Sequence, residues 1–431
     1  MTRPEHNKET VSARQQLALS HMLTPLGLAV CLSLFGDLAL YASLVTQIEE
    51  VGLSLGAVGI MLGINRLIRI PGNPLAGMLI DRLGRRRLFL LGMLLGTLST
   101  AGYGLVRGFW PFLTSRLVWG IAWTLINVSG MAMVLDTSTP ANRGRLTGLY
   151  NTWMLSGLAL GPLVGGFLVD LIGFRPAMLT CAGITSVGLM VVVVALPETT
   201  TATQEENVQR ERRLALNRRR HPGEVWHSKA KTWFRTKQDL VTASSLYLIT
   251  QFAGEGVVLS TVSLLLQKHT GEIALGVASA GGLLLALRSL LAGAVGPLAG
   301  GWSDGRFGRW SVIRGSLVIG ILGFGLLSLA TSLGLIILGV ALGAVSAGAA
   351  LATLTAYVGD RTTPGKQGTT MGIYATAGDL GSTTGPFLAF ALLSVIDLHW
   401  VYLFCSLTFL LGLGLSWRSR GAWSSNPSFF R

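Results

Sequence analysis

From about residue 23 onward the chain alternates long apolar runs with short polar links. A helix that crosses a bilayer needs about 20 mostly apolar residues. Twelve runs reach that length: 23–46, 55–78, 88–106, 110–135, 146–170, 176–196, 241–266, 273–299, 311–330, 333–358, 369–393 and 399–417. The pattern predicts an all-α integral membrane protein with twelve transmembrane helices. Residues 197–240 form the one long polar insert and divide the runs six and six. The predicted organisation is a tail over 1–22, a first six-span half over 23–196, a basic linker over 197–240, a second half over 241–417 and a tail over 418–431.

The charged positions orient the spans. Of 34 lysines and arginines, 27 fall in tails and links on one side. Only Arg107, Arg175 and Lys268 fall on the other, and Arg66, Arg69, Arg116 and Arg288 lie within spans. Cytoplasmic loops carry the excess of basic residues, so both termini are predicted to be cytoplasmic. Composition agrees with a membrane protein: half of the 431 residues are apolar and 13% are charged, against about 25% charged in soluble domains. The net charge of +14 is then a topology signal rather than a mark of nucleic-acid binding. The insert carries Lys229, Lys231, Arg235 and Lys237 among Trp226, Trp233 and Phe234. It reads either as a solvated linker with partial lipid contact or as an amphipathic helix on anionic lipid.

The link after the second span is Gly77 to Arg87, GMLIDRLGRRR. Its arginines must stay in water or at headgroups, and Gly77 and Gly84 allow a tight turn and close helix approach. This stretch resembles the signature loop of the major facilitator superfamily, matching its pattern at Gly77, Asp81, Arg82, Gly84, Arg85 and Arg86. Gly300 to Arg309 repeats the signature after the eighth span, with one residue inserted after Asp304. Repeated halves with a binding site between them at mid-membrane are a common transporter design. The resemblance covers roughly residues 20–418 and implies two six-helix bundles that rock about a central site.

The fifth span contains GLALGPLVGG, with Gly157, Gly161, Pro162, Gly165 and Gly166. It matches in full a superfamily motif associated with exporters that exchange substrate for protons. Pro162 kinks the helix, and the glycines let a neighbour come close. The eleventh span repeats the spacing at Gly381, Gly385 and Pro386. RLVWG at 116–120 resembles the fourth-helix motif, with Trp119 where the family has glutamine. The resemblance also implies that Asp136, with Arg143 and Arg145 beside the Asp81 loop, belongs to a charge cluster closing the cytoplasmic side.

Ionisable residues inside a membrane are functional candidates. Asp37 and Arg116 lie at similar depth in the first and fourth spans, which line the central cavity in this family. They are expected to interact, either as a proton-loading pair or as a static bridge between helices. Glu255, flanked by small residues in AGEGVV, is a second proton-coupling candidate. Asp379 is a further proton-coupling or cavity candidate, or else pairs structurally with Arg288, and Arg66 and Arg69 are expected to snorkel to the interface. Tyr41, Trp119, Trp123 and Asn127 are candidate substrate-contacting residues, suited to lipophilic molecules.

Cys31, Cys181 and Cys405 show no metal-ligand spacing and the six histidines are dispersed. No phosphate-cradling GxxxxGK[ST] loop is present. No metal or cofactor is expected, an enzyme is disfavoured, and so is ATP-driven pumping. The expected activity is proton-coupled export of small organic, lipophilic compounds by a monomer in the cell membrane. The alternatives are a nutrient or metabolite importer on the same fold and a non-transporting sensor or scaffold.

Overall fold

The computed structural model describes residues 5–137, 143–196, 229–268, 275–304, 307–361 and 367–418. Among the described residues every regular element is helical: α1 Glu5–Ser43, α2 Leu55–Leu67, α3 Arg69–Leu83, α4 Arg85–Leu105, α5 Phe109–Thr137, α6 Arg143–Ile172 and α7 Phe174–Ala195. After the insert come α8 Lys229–Gln251, α9 Leu259–Gln267, α10 Val277–Asp304, α11 Arg309–Ser328, α12 Leu333–Arg361, α13 Gln367–Leu392 and α14 Leu398–Arg418. A single helical turn, Ile48–Val51, follows α1.

Eleven of the described helical segments are long and apolar enough to cross a membrane. The expected eleventh span corresponds to α13, also a long helix, though Asp379, Ser382, Thr383 and Thr384 make its middle more polar. Many large apolar side chains face outward, among them Leu171, Met190, Val194, Leu290 and Leu411. Exposed apolar surface on that scale would drive association in water; hydrocarbon covers it instead.

Several boundaries differ from the sequence reading. The first helix runs back to Glu5, into the stretch expected as a tail. The last residues of the expected linker join α8, which starts at Lys229; residues 197–228 lie outside the described residues. The second span is interrupted at Ile68, between α2 and α3. Pro71 has no N–H for the Leu67 carbonyl, and Pro74 has none for that of Ile70. The seventh span contains a π-helical turn, Phe252–Val258, between α8 and α9.

Helices before the insert pack chiefly on one another, as α1 does on α6 and α7, and α4 on α5 and α7. Helices after it do likewise, as α11 does on α12 and α14. The two sets meet through α6 against α10 and α2 against α13. One apolar core runs through both, from Leu38 and Tyr41 to Val262, Leu284 and Phe390.

Candidate functional site

Arg116 of α5 is fully buried and forms an ion pair with Asp37 of α1. Its Nε donates to the Met61 carbonyl at 2.6 Å and its Nη1 to the Tyr103 hydroxyl at 3.2 Å. The Tyr41 and Tyr103 rings flank the guanidinium, each centroid 5.7 Å from its central carbon. Asn65 of α2 reaches Asp37 at 3.5 Å. A charge buried this deeply is tolerated only when paired and hydrogen-bonded, and α1, α2, α4 and α5 all contribute to that pairing.

A second charged cluster joins the two sets of helices. Glu255 sits at the centre of the π-helical turn. Such turns often mark functional sites, because the extra residue displaces side chains from the ordinary helical register. Its carboxylate accepts from Arg288 of α10 at 2.6 Å and lies 3.6 Å from Arg66 of α2. Arg66 also donates to the Glu255 carbonyl at 3.0 Å and stacks over the Tyr41 ring. Arg69, one helical turn on, pairs with Asp379 of α13 at 2.7 Å. The expected Arg288–Asp379 pair is therefore not formed, and Arg66 and Arg69 do not snorkel outward. Ile68 between them keeps helical dihedrals, φ −66° and ψ −22°. Arg66 and Arg69 therefore still share a face, and that face turns toward the carboxylates of the second set.

The glycines of the fifth span divide between two neighbours. Gly157, Gly161 and Gly165 lie along α1: a Cβ at Gly157 would fall 2.7 Å from the Cys31 carbonyl, one at Gly161 3.0 Å from Leu38 Cβ, and one at Gly165 against Ala39. Pro162 and Gly166 occupy the adjoining face and meet α10, Pro162 at Gly282 and Gly166 at Ala278. The repeated motif behaves in the same way. Gly385 abuts Gly256 in the π-helical turn, while the Pro386 carbonyl faces Gly59 of α2, whose Cβ would lie 2.7 Å from it. At this end the two sets are also tied by Ser263 Oγ donating to the Ala42 carbonyl and by the Ser279 amide donating to Asp170.

At the opposite end the charged links form matched clamps. Arg85 Nε donates to Asp136 Oδ2 at 2.7 Å, and Arg309 Nε to Asp360 Oδ2 at 3.0 Å, each pair 51 residues apart in the chain. Gly84 and Gly308 precede the arginines with φ of 91° and 73°, a conformation that suits glycine. Residues 26–280 and 244–427 match the sequence profile of the Major Facilitator Superfamily. The chain belongs to that superfamily. It is a multi-pass protein of the cell membrane and a secondary transporter of small molecules, not an enzyme; the superfamily fold works by alternating access.

Several relatives within the superfamily are named as multidrug resistance proteins. Multidrug resistance protein 2 of Bacillus subtilis is 22% identical over 86% of this chain and 87% of its own. Multidrug resistance protein MdtG of Serratia proteamaculans is 29% identical, but that match spans 36% of this chain and 38% of the relative. Among solved structures, a bacterial homologue of the human lysosomal transporter Spinster, in an inward-facing and occupied conformation, superposes with a TM-score of 0.74. That likeness covers 92% of this chain and 96% of the other at 14% identity, and it shows the fold.

The remaining expected residues are placed as follows. Tyr41 and Trp119 are each 1% exposed and present no free surface to a substrate; the Tyr41 hydroxyl donates to the Leu62 carbonyl at 2.8 Å. Trp123, stacked on Trp119, and Asn127 are half-buried. Gly77 has open space around it, so no helix packs on it closely. Arg86 donates to the Val193 carbonyl. The side chains of Asp81, Arg143 and Arg145 lie outside the described residues. An apolar groove of about 720 Å³ runs along α3, α4 and α5, lined by Leu75, Leu79 and Leu125 with Arg82 among them. None of the charged residues between the two sets lines that groove. Sequence reading missed Asn65 and Tyr103, and placed Arg66 and Arg69 at the interface rather than between the helix sets. The available signal was the pair of arginines three apart inside an apolar run, where outward-facing charge is costly.

Proposed function

We propose that this transporter is a twelve-helix antiporter that exports small organic, lipophilic compounds in exchange for protons. In this reading residues 23–196 and 241–417 are two six-helix bundles, both termini are cytoplasmic and the monomer is the working unit. The positive-inside bias then makes the end sealed by Gly59, Gly166, Gly282 and Ser263 the external one. The observation that carries the proposal is the buried pair of Asp37 with Arg116.

Protonating Asp37 removes the counter-charge of Arg116, whose contacts with Met61 and Tyr103 are neutral. A buried cation without its partner costs several kcal/mol, on the order of 3–5, enough to shift the balance between two packings of the fold. Glu255 is the second proton carrier in this reading, since its partners come from both sets of helices. The complete glycine–proline motif and the multidrug resistance relatives favour export.

Reconstituted vesicles with an imposed pH gradient test the proposal. Wild type is expected to move lipophilic compounds against their gradient, and Asp37→Asn to lose that movement while remaining folded. Undiminished gradient-driven transport by Asp37→Asn would refute the assignment.

A further inference from the structure

Four arginines inside the spans are paired with three carboxylates. Arg66, Arg69, Arg116 and Arg288 face Asp37, Glu255 and Asp379. Asp37 is committed to Arg116 and Asp379 to Arg69. Glu255 alone is shared, with one carboxylate oxygen turned to Arg288 and the other to Arg66. The two guanidinium groups are almost wholly buried, at 6% and 10% side-chain exposure, whereas Glu255 keeps 30%. The accessible member of this triad is thus the anion, and the walls behind it are cationic.

We propose that Arg66 and Arg288 form the binding site for the anionic group of the substrate, a carboxylate or sulfonate on an aromatic body, and that Glu255 occupies the site when substrate is absent. The inference rests on the transport reading above and narrows its substrate class. Guanidinium forks suit planar, two-oxygen acceptors, and Glu255 already demonstrates a carboxylate bridging both. Glycine lets Arg288 approach the turn closely: a Cβ at Gly254 would sit 3.2 Å from its Nη2. Tyr247 is half-buried and offers an aromatic face, with the buried Tyr374 behind it. Tyr247 and Tyr374 stack with centroids 4.3 Å apart, and Tyr247 packs on Gly378, the neighbour of Asp379. Arg69 Nε, buried and without a hydrogen-bond partner among the described residues, adds a further donor beside Asp379.

The alternative reading of the same charges is a site for lipophilic cations centred on Glu255. Two arginines already bound to that carboxylate oppose it, because a cation would have to displace both.

A matched pair of probes separates the two: 2-naphthoate and trimethyl(2-naphthyl)ammonium, measured by calorimetric binding to the full chain in lipid nanodiscs. Naphthoate is expected to bind wild type and the ammonium probe not to. Glu255→Gln, which removes the competing negative charge, is expected to bind naphthoate more tightly. Arg288→Gln and Arg66→Gln are each expected to weaken it by about tenfold or more, the loss of one charge-assisted hydrogen bond. Arg288→Lys, which keeps the charge and loses the fork, is expected to fall between. Preferential binding of the ammonium probe, no naphthoate binding to either wild type or Glu255→Gln, or equal naphthoate binding by Arg288→Gln would overturn the inference. Gradient-driven movement of neutral lipophilic compounds, run in vesicles in parallel, reports on the transport reading by itself. If that movement persists without naphthoate binding, only the anion site falls.

Discussion

Arg116 shows how one side chain ties several helices together. Its partners come from α1, α2 and α4, and only the Asp37 contact neutralises its charge. Removing either partner of this pair leaves the other buried and unpaired. Asp37→Asn keeps an acceptor beside the guanidinium, and we expect folded protein with lost coupling. Arg116→Gln leaves Asp37 charged, with Asn65 as its remaining hydrogen-bond contact among the described residues. It is expected to cost about 3–5 kcal/mol, read as a lower melting temperature in detergent. A melt indistinguishable from wild type would show that Asp37 finds another cation or water. The cysteines call for no comparable treatment: Cys31, Cys181 and Cys405 are buried and unbridged.

Among the elements, α6 and α13 carry the same design. Each uses glycines on one face to seat a helix of its own set, and a proline on the next face to meet the other set. Without a hydrophobic drive between helices in lipid, close packing of small residues supplies the contact. Enlarging one of them should act at the face it occupies. Gly161→Leu is expected to push α6 from α1 and lower stability. Gly282→Leu, at the contact with Pro162, is expected to keep the two sets apart at that end. Accessibility of a cysteine placed at Ser263 would then rise while the melting temperature changes little. If Gly282→Leu transports normally with Ser263 still shielded, the contact is not a moving one.

Over the whole molecule, closure at one end must alternate with closure at the other if a site between the sets is to be served from both sides. The bonds at Ala42–Ser263 and Asp170–Ser279 hold one end shut. A disulfide between cysteines at 42 and 263 is expected to arrest transport, and reduction to restore it. Transport by the oxidised protein would contradict opening at this end. The clamps Arg85–Asp136 and Arg309–Asp360 occupy equivalent places in the two repeats. Arg85→Ala and Arg309→Ala are accordingly expected to slow transport to similar degrees, measured as initial rates in vesicles.

Much of this protein is legible in its sequence, because solvent sorts it. Apolar runs of spanning length, arginines confined to links on one side and glycines at fixed spacing each follow from what hydrocarbon excludes or what a close helix contact requires. These are local conditions, met or broken within a single segment. The family and its repeated halves follow from GMLIDRLGRRR and GLALGPLVGG, and the shared depth of Asp37 and Arg116 from counting along two helices. The partners of the other charges were not legible. Arg288 turns to Glu255 rather than Asp379, and Arg66 and Arg69 turn inward, because the break at Ile68 and the π-helical turn at Glu255 set the rotation of two helices. A rotation of one residue, about 100°, decides which way a side chain points, and depth alone carries no record of it. Composition and periodicity therefore determined that the chain spans a membrane and which charges lie within it. Only the packing of α2 against α13 and of α6 against α10 decided which of those charges meet.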